Sequence, residues 1–235
     1  MTKLTEVRRE LRRLADPARA ATLARFFQTQ PGGYGEGDRF LGLRVPQVRT
    51  VVRSCHTLDR QAVTELLRSP WHEERLLALL ILVEQYRRGS EADRDDIHRT
   101  YLAHTRFINN WDLVDVSAEH IVGAHLDPAD LQLLERLAAS SSIWERRIAM
   151  LATFHWIRKG RVAPALHVAR LLLNDREDLI HKAVGWMLRE AHRRDPEAVE
   201  RFLRRHYRSM PRTMLRYAIE RFPPEKRQRY LKGAA

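Results

Sequence analysis

The sequence is poor in cysteine and has no long apolar run. Its 235 residues include a single cysteine, Cys55, which cannot form an internal disulfide. No stretch approaches the roughly 20 apolar residues that a membrane span needs. The first residues lack the apolar segment of a secretory signal. These absences predict a globular protein that does not cross a membrane and that works in the cytosol.

Several motifs that carry catalytic chemistry are also missing. The sequence holds no glycine-rich phosphate loop with its lysine, no His-Glu-x-x-His, no cysteine pair for zinc and no G-x-S-x-G. Its 11 histidines are scattered along the chain. We therefore expect no metal and no cofactor, and we do not expect nucleotide hydrolysis or zinc-dependent deamination.

No segment alternates with the period of two that a half-buried strand shows, whereas helical periodicity runs from end to end. The pattern predicts an all-α chain that forms one domain over 1–235. Short breaks between amphipathic helices favour an α-solenoid of stacked antiparallel helix pairs. The predicted helices cover 3–15, 17–29, 46–57, 59–68, 72–88, 91–104, 110–123, 128–139, 143–158, 161–173, 177–193, 196–206 and 211–221, followed by a short tail.

The most abundant feature is positive charge. The chain has 42 Lys and Arg against 30 Asp and Glu, a formal charge of +12. Most of these cations are arginines, whose planar guanidinium matches phosphate oxygens. The charge favours nucleic acid as the partner, although ribosomal and membrane-surface proteins share it.

One connection, 31–46, is long and rich in glycine, and it carries Tyr34 and Arg44. Two interpretations are open. The segment is a structural loop that covers the end of the helical stack, or its backbone N–H groups and these two side chains contact a ligand such as phosphate.

The predicted helix over 110–123 places Trp111 and Asp115 four residues apart on one face. Both lie at the flank of the apolar stripe, so Asp115 is either a satisfied structural acid or a catalytic carboxylate. Asp112 is predicted to point away from the core and to complement the helix dipole. A carboxylate beside an indole suits the stabilisation of a developing positive charge.

In the predicted helix over 143–158, Arg147 falls within the apolar stripe and Arg146 falls outside it. A buried guanidinium must find an acid, a carbonyl or a phosphate. Asp115 is one conceivable partner in a buried ion pair. The alternative is that Arg147 serves an active cleft.

The predicted helix over 177–193 buries one apolar face, which leaves Lys182, Trp186, Arg189 and Arg193 on the opposite side. An exposed indole among cations suits the sugar and phosphate of nucleic acid. A protein interface, or a neighbouring helix that covers the ring, are the alternatives.

Four blocks in this order resemble the AlkD-type alkylpurine DNA glycosylases, a DNA alkylation repair family built from HEAT-like helical repeats. The blocks are FLGLRVP at 40–46, NWDLVD at 110–115, RRIA at 146–149 and KAVGWMLRE at 182–190. The resemblance spans nearly the whole chain. It implies HEAT-like repeats and an enzyme that acts on double-stranded DNA with alkylated bases.

The resemblance also implies roles for single residues. Asp115 takes the place of the catalytic acid, Trp111 and Trp186 face the deoxyribose of the lesion, and Arg147 is the arginine of the active cleft. Residues expected near the DNA backbone are Lys182, Arg189, Arg193, Arg44 and Tyr34.

The implied reaction is hydrolysis of the N-glycosidic bond of cationic purines such as N3-methyladenine and N7-methylguanine, without a pocket for a flipped base and without lyase activity. The protein is expected to be a monomer in the bacterial cytosol, associated with the nucleoid and without an obligate protein partner. Two other classes stay open: a non-catalytic helical-repeat protein that binds DNA or RNA structure, and a protein-interaction scaffold.

Overall fold

A computed structural model describes residues 4–234, and this part of the chain is helical with no strand. The all-α prediction is confirmed, and the side-by-side packing of helices joined by short turns is that of an all-α repeat fold. The chain divides into two compact units, Met1–Ile121 and Val122–Ala235. The first is called unit 1 below and the second unit 2.

Unit 1 is organised around one long helix, α5, against which α1, α3, α4, α6 and α7 pack. Residues 76–82 of α5 are all buried, so this helix is apolar on every side. The helices of unit 1 are α1 (Leu4–Arg13), α2 (Pro17–Phe26), α3 (Val45–Cys55), α4 (Arg60–Leu67), α5 (His72–Arg88), α6 (Glu91–Ala103) and α7 (Trp111–Asp115), with a 3₁₀ turn at Thr105–Phe107. A π-helical turn at Glu119–Gly123 crosses the division at residue 121.

The segment between α2 and α3 makes a close turn at Gly42. This glycine has a φ of +89°, and a Cβ there would lie 2.1 Å from the carbonyl oxygen of Asp16. Only glycine fits a positive φ at so close an approach. The turn brings the backbone of residues 41–43 against the start of α5.

Unit 2 is centred on α12, against which α9, α11, α13 and α14 pack. Gly185 permits the approach of α14, because a Cβ at that position would lie 2.4 Å from the Cβ of Tyr217. The helices of unit 2 are α8 (Gln132–Ala138), α9 (Ile143–Ala152), α10 (Phe154–Arg158), α11 (Ala163–Leu171), α12 (Asp178–His192), α13 (Pro196–His206), α14 (Arg212–Ala218) and α15 (Pro224–Leu231).

Two predicted helices are interrupted by hydroxyl side chains. The helix predicted over 110–123 breaks after α7, where Ser117 Oγ donates to the carbonyl of Leu113 at 2.6 Å. The helix predicted over 143–158 breaks at Thr153, whose Oγ1 donates to the carbonyl of Met150 at 2.6 Å. Both hydroxyls compete with the backbone for helix carbonyls, which the apolar periodicity does not reveal.

Two further boundaries were predicted wrongly. Pro128 lies in a turn held by Asp127, which accepts a bond from the backbone N–H of Ala129 at 2.8 Å, and α8 begins only at Gln132. The region predicted as a tail contains α15, which Tyr230 anchors by packing edge-on against Tyr207.

None of the helices between residues 4 and 234 combines the length and the apolarity that a bilayer crossing requires.

Candidate active site

Unit 1 contains a cleft with a volume of about 350 Å³. Its wall is largely aliphatic and aromatic, and Phe26 on that wall keeps 60% of its surface exposed. The carboxylates of Asp112 and Asp115 and the guanidinium groups of Arg19 and Arg44 also line it. The apolar part consists of Leu23, Phe26, Phe27, Phe40, Leu43, Val45, Leu76, Trp111 and Val116.

The single-turn helix α7 brings Trp111 and Asp115 to this cleft. It starts at Asn110, whose side-chain oxygen accepts a bond from the backbone N–H of Trp111 at 2.9 Å. Leu113 and Val114 are buried, whereas Trp111 and Asp115 are half-buried. The helix therefore directs its apolar residues inwards and presents an indole and a carboxylate at the cleft wall.

A column of rings supports Trp111. The indole stacks on Phe27 with the ring centroids 5.3 Å apart, and Phe27 stacks on Phe40 at 5.1 Å. Phe40 in turn stacks on the imidazole of His72 at 4.5 Å. Offset stacking of this kind fixes the plane of each ring. The orientation of Trp111 is thus set by the interior of unit 1.

His72 lies between two carboxylates. Its Nδ1 donates to Asp38 at 3.0 Å and its Nε2 donates to Asp112 at 2.8 Å. Burial alone would lower the pKa of His72, but the two carboxylates outweigh burial and raise it to about 9. Asp38 also pairs with the buried Arg75. Burial disfavours the ionised form of Asp38, yet His72 and Arg75 hold the pKa of its carboxyl below the ordinary value.

The expectation for Asp112 was wrong. Its side chain was predicted to point away from the core, but it is only 14% exposed and accepts the bond from His72. Helical-wheel geometry needs several turns to define an outer face, and α7 has five residues. The partner of Asp112 lies 40 residues away in the sequence, so periodicity does not reveal it.

Glu73 fixes the segment that carries the cleft residues Leu43 and Arg44. Its carboxylate, only 1% exposed, accepts bonds from the backbone N–H groups of Leu41, Gly42 and Leu43 at 2.8, 2.8 and 3.1 Å. These N–H groups are therefore committed to the protein. The glycine-rich connection is a structural element and at the same time a wall of the cleft.

Arg44 and Tyr34, the two side chains singled out in this connection, differ in position. Arg44 is exposed and lines the cleft. The hydroxyl of Tyr34 accepts a bond from Trp111 Nε1 at 3.3 Å and donates to the carbonyl of Phe26 at 3.2 Å. Tyr34 thus braces the indole within unit 1.

In unit 2, Arg147 is buried as the periodicity predicts, with 5% of its surface exposed. Its Nη1 donates to the carbonyl of Leu179 at 2.7 Å, one of the three kinds of partner expected for a buried guanidinium. Arg146 is bound as well, since its Nε donates to Asp175 at 2.6 Å. Together the two arginines connect α9 to the start of α12.

The residues expected on the outer face of α12 are only partly exposed. Trp186 is half-buried and packs edge-on against Phe154 at a centroid distance of 5.7 Å. The exposure predicted for Arg189 was wrong: its side chain is 17% exposed and pairs with Glu190 and Glu220. The helix α14 packs against α12, and Glu220 lies in the turn that follows α14.

Two cations of this face remain accessible. The side chain of Lys182 is 41% exposed and its Nζ lies 2.7 Å from Asp178 Oδ2. The side chain of Arg193 is 58% exposed and lies 3.1 Å from Glu190. Both can reach an external anion by exchanging a surface partner.

Sequence reasoning missed His72, which bonds to the cleft carboxylate Asp112, and Asp38, which bonds to His72. A signal was present: residues 72–75, His-Glu-Glu-Arg, directly precede the apolar run of α5. A helix that is apolar on all sides lies in the core, so polar residues in its first turn are also buried and need partners. For the residues described, no group of three or more His, Cys, Asp or Glu side chains is placed to hold a metal ion.

Comparisons with known proteins bear on the fold and on the family. No curated protein sequence matches the chain. A solved structure described as a predicted DNA alkylation repair enzyme from Enterococcus faecalis superposes with a TM-score of 0.67 at 17% sequence identity, covering 89% of this chain and 97% of that one. The family model for DNA alkylation repair enzymes matches residues 7–222. The chain therefore belongs to the DNA alkylation repair enzyme family.

Proposed function

We propose that this protein is a monofunctional DNA glycosylase that hydrolyses the N-glycosidic bond of cationic alkylated purines in duplex DNA. The observation that carries the proposal is the presence of Asp115 and Trp111 in one apolar cleft with Arg19 and Arg44. Membership in a DNA alkylation repair family makes DNA the substrate. The N3-methyladenine and N7-methylguanine type of lesion fits the charge of the site.

Alkylation at N3 or N7 makes the purine cationic, so it leaves as a neutral base and needs little help from a general acid. Positive charge then develops on the deoxyribose as the bond between C1′ and the base nitrogen breaks. The carboxylate of Asp115 stabilises this charge, and the apolar wall strengthens the attraction because it excludes water. A water molecule adds its oxygen to C1′ and releases a proton.

Trp111 adds to this stabilisation through the negative face of its indole, since a cation over such a ring gains attraction. Its ring is oriented by Phe27 and Tyr34 before any substrate binds. Such preorganisation lowers the cost of reaching the transition state. We extend the proposal to Trp186 and Arg147 on the basis of the sequence resemblance, with Trp186 facing the sugar and Arg147 facing phosphate.

The proposal includes recognition of the lesion from the backbone side, without a pocket that reads a flipped base. His72, Glu73 and Asp112 line the cleft, but their polar atoms serve partners within the protein. The wall thus offers few hydrogen-bonding groups for the edge of a base. Such a wall agrees with selection of the lesion by its positive charge and its labile N-glycosidic bond, and not by the hydrogen-bonding pattern of the base edge.

Monofunctional action is favoured by the state of Lys182. A lyase reaction needs a neutral amine that forms a Schiff base. The carboxylate of Asp178, 2.7 Å from Nζ, instead stabilises the ammonium form of Lys182. Lys182, Arg193 and Arg44 are proposed to contact the DNA phosphates.

The test is incubation with duplex DNA that carries N7-methylguanine, followed by chromatography of freed bases. Asp115→Asn is expected to reduce the single-turnover rate by about 100-fold or more, because it removes a charge aimed at the transition state. Trp186→Ala and Arg147→Ala are expected to reduce it by about tenfold. Asp130→Asn, at an exposed loop position before α8, is the matched control and keeps the wild-type rate.

Unchanged release by Asp115→Asn would remove this residue from the mechanism. A wild-type protein that binds DNA with strong salt dependence yet frees no base would support the alternative, a non-catalytic helical-repeat protein that binds nucleic-acid structure.

A further inference from the structure

A buried chain of three charged side chains, Asp38, His72 and Asp112, connects three separate parts of unit 1. Asp38 comes from the segment between α2 and α3, His72 begins α5, and Asp112 lies in α7. The side chains of Asp38 and His72 are 4% and 2% exposed. Nothing in the proposed glycosylase chemistry requires them to contact DNA.

The geometry requires a charged imidazole. Carboxylates only accept hydrogen bonds, and each ring nitrogen of His72 lies within 3.0 Å of one. Both nitrogens must therefore carry protons. Loss of either proton would place a nitrogen lone pair against a carboxylate oxygen and break that connection.

The element that this chain holds is α7, which has five residues. So short a helix has no stability of its own in water and depends on tertiary contacts. At the cleft it is held by the stacking of Trp111 on Phe27, by the bond from Trp111 to Tyr34 and by the bond between Asp112 and His72. Trp111, Asp112 and Asp115 share this one turn, so the position of Asp112 fixes those of its neighbours.

We propose that His72 is a positioning residue of the candidate active site: its imidazolium holds Asp112, and through it the turn that aims Trp111 and Asp115 into the cleft. The effect on catalysis rests on the proposed function. The placement of Trp111 does not, and it can be measured without turnover.

The charged groups that act on His72 are Asp112 of α7, Asp38 of the segment between α2 and α3, and Arg75 of α5 itself. Asp112 and Asp38 favour the imidazolium, whereas burial and the charge of Arg75 oppose it. The folded pKa of about 9 lies above the ordinary 6.5, so the protonated form is favoured by folding. The contribution is fully present below pH 6.5 and is lost as the pH rises through about 9. The other ionisable groups of the cleft are Glu73, Asp115, Arg19 and Arg44.

The first experiment measures placement. The chain holds five tryptophans, and 5-fluorotryptophan labelling gives each a fluorine resonance, with Trp111 assigned by its loss in Trp111→Phe. Between pH 7 and 10.5 we expect the Trp111 resonance to shift with a midpoint near 9, the pKa of His72. Trp144 and Trp156, both buried in unit 2, are the internal references.

Two variants test the cause of this shift. Asp112→Asn keeps an oxygen that accepts from His72 but removes the charge, so the midpoint should fall by about one to three pH units. His72→Gln should abolish the midpoint. His167→Gln, which removes an exposed histidine 2.7 Å from Glu135, is the matched control and should leave the midpoint unchanged. If His72→Gln fails to fold, the fall of the Trp111 midpoint in Asp112→Asn still tests the proposal.

The second experiment measures the single-turnover rate of base release across the same pH range, corrected for spontaneous loss from the DNA. The rate should fall at alkaline pH with the same midpoint as the Trp111 resonance, and Asp112→Asn should move both midpoints together. DNA affinity should change less than the rate, because none of the proposed phosphate contacts, Lys182, Arg193 and Arg44, belongs to the chain of Asp38, His72 and Asp112.

Three results would overturn the proposal. The first is a Trp111 resonance that stays constant from pH 7 to 10.5, and the second is a midpoint that is unchanged in Asp112→Asn. The third is a rate of base release that does not change with pH at the midpoint of the Trp111 resonance. A wild type that frees no base would refute the proposed glycosylase function alone. In that case the fluorine titration still decides whether His72 positions α7.

Discussion

The two units of the molecule handle charge in different ways. Residues 1–121 hold 19 Lys and Arg against 17 Asp and Glu, whereas residues 122–235 hold 23 against 13, so most of the surplus positive charge belongs to unit 2. Unit 1 buries carboxylates with their partners: Glu73 with backbone N–H groups, Glu74 with Arg8 and Arg12, and Asp38 with His72 and Arg75.

Unit 2 also pairs a buried carboxylate, Asp175 with Arg146, but it buries Arg147 against a carbonyl and holds the larger surplus of cations. Charge therefore serves two purposes in one chain. In unit 1 buried charge fixes the geometry of a cleft, and the surplus in unit 2, together with the exposed Arg44 of unit 1, is proposed to bind a polyanion such as DNA. That the two units act as one domain stays a prediction.

The largest effect, on the free energy of unfolding, is expected when a buried charge of unit 1 is removed. Asp38→Ala leaves the charges of His72 and Arg75 without their shared carboxylate, which should lower the free energy of unfolding by about 3 to 5 kcal/mol. Urea denaturation followed by circular dichroism measures the change. Glu10→Ala, which removes a carboxylate paired with Arg13 on α1, is the control and should leave the midpoint unchanged. Equal effects of both variants would contradict the structural role of charge in unit 1.

A smaller effect is expected at two of the glycines with positive φ, Gly42 in unit 1 and Gly160 in unit 2. Gly42→Ala in unit 1 meets both an unfavourable φ and the carbonyl of Asp16, and should destabilise by about 2 to 4 kcal/mol. Gly160→Ala in unit 2 has a φ of +77° but open space around it, and should cost about 1 kcal/mol. Thermal unfolding of both variants measures the two losses of stability, and similar losses would show that the close approach at Gly42 does not affect stability.

The smallest effect concerns the surface of unit 2. Lys182→Ala and Arg193→Ala should each reduce the slope of log affinity for duplex DNA against log salt by about 1, because each removes one phosphate contact. Fluorescence anisotropy at several salt concentrations measures this slope. Arg99→Ala in unit 1, whose side chain is 71% exposed on α6, should leave it unchanged. The same loss of slope in Arg99→Ala would break the proposed division between the two units.

How far sequence reasoning reaches depends on the kind of signal. Apolar periodicity located most helices, and it placed Arg147 in the core, because the same residues that define the period are those that pack. It missed the breaks at Ser117 and Thr153, where a side-chain hydroxyl takes a helix carbonyl. It also missed α15, since the mean hydropathy of this short helix is low and Tyr230 alone is buried in it.

In the candidate site, too, local sequence signals were read correctly and long-range contacts were missed. Four ordered blocks of sequence pointed to Trp111 and Asp115, and both line the cleft. The accessibility of Arg189 was misjudged because helical-wheel geometry does not include neighbouring segments of the fold. Here Glu220, which follows α14, pairs with Arg189. The partner of Asp112 was missed for a related reason, because His72 lies far away in the sequence.

The amino-acid sequence was enough to establish the helical class, the family, and the indole and carboxylate that line the cleft. These follow from local order, namely residue spacing and blocks of neighbouring residues. The tertiary structure alone decided which charges are buried, which partners neutralise them and how a single helical turn is held. Such pairings join residues tens of positions apart, and their energies depend on distance and desolvation, which exist only once the chain has folded.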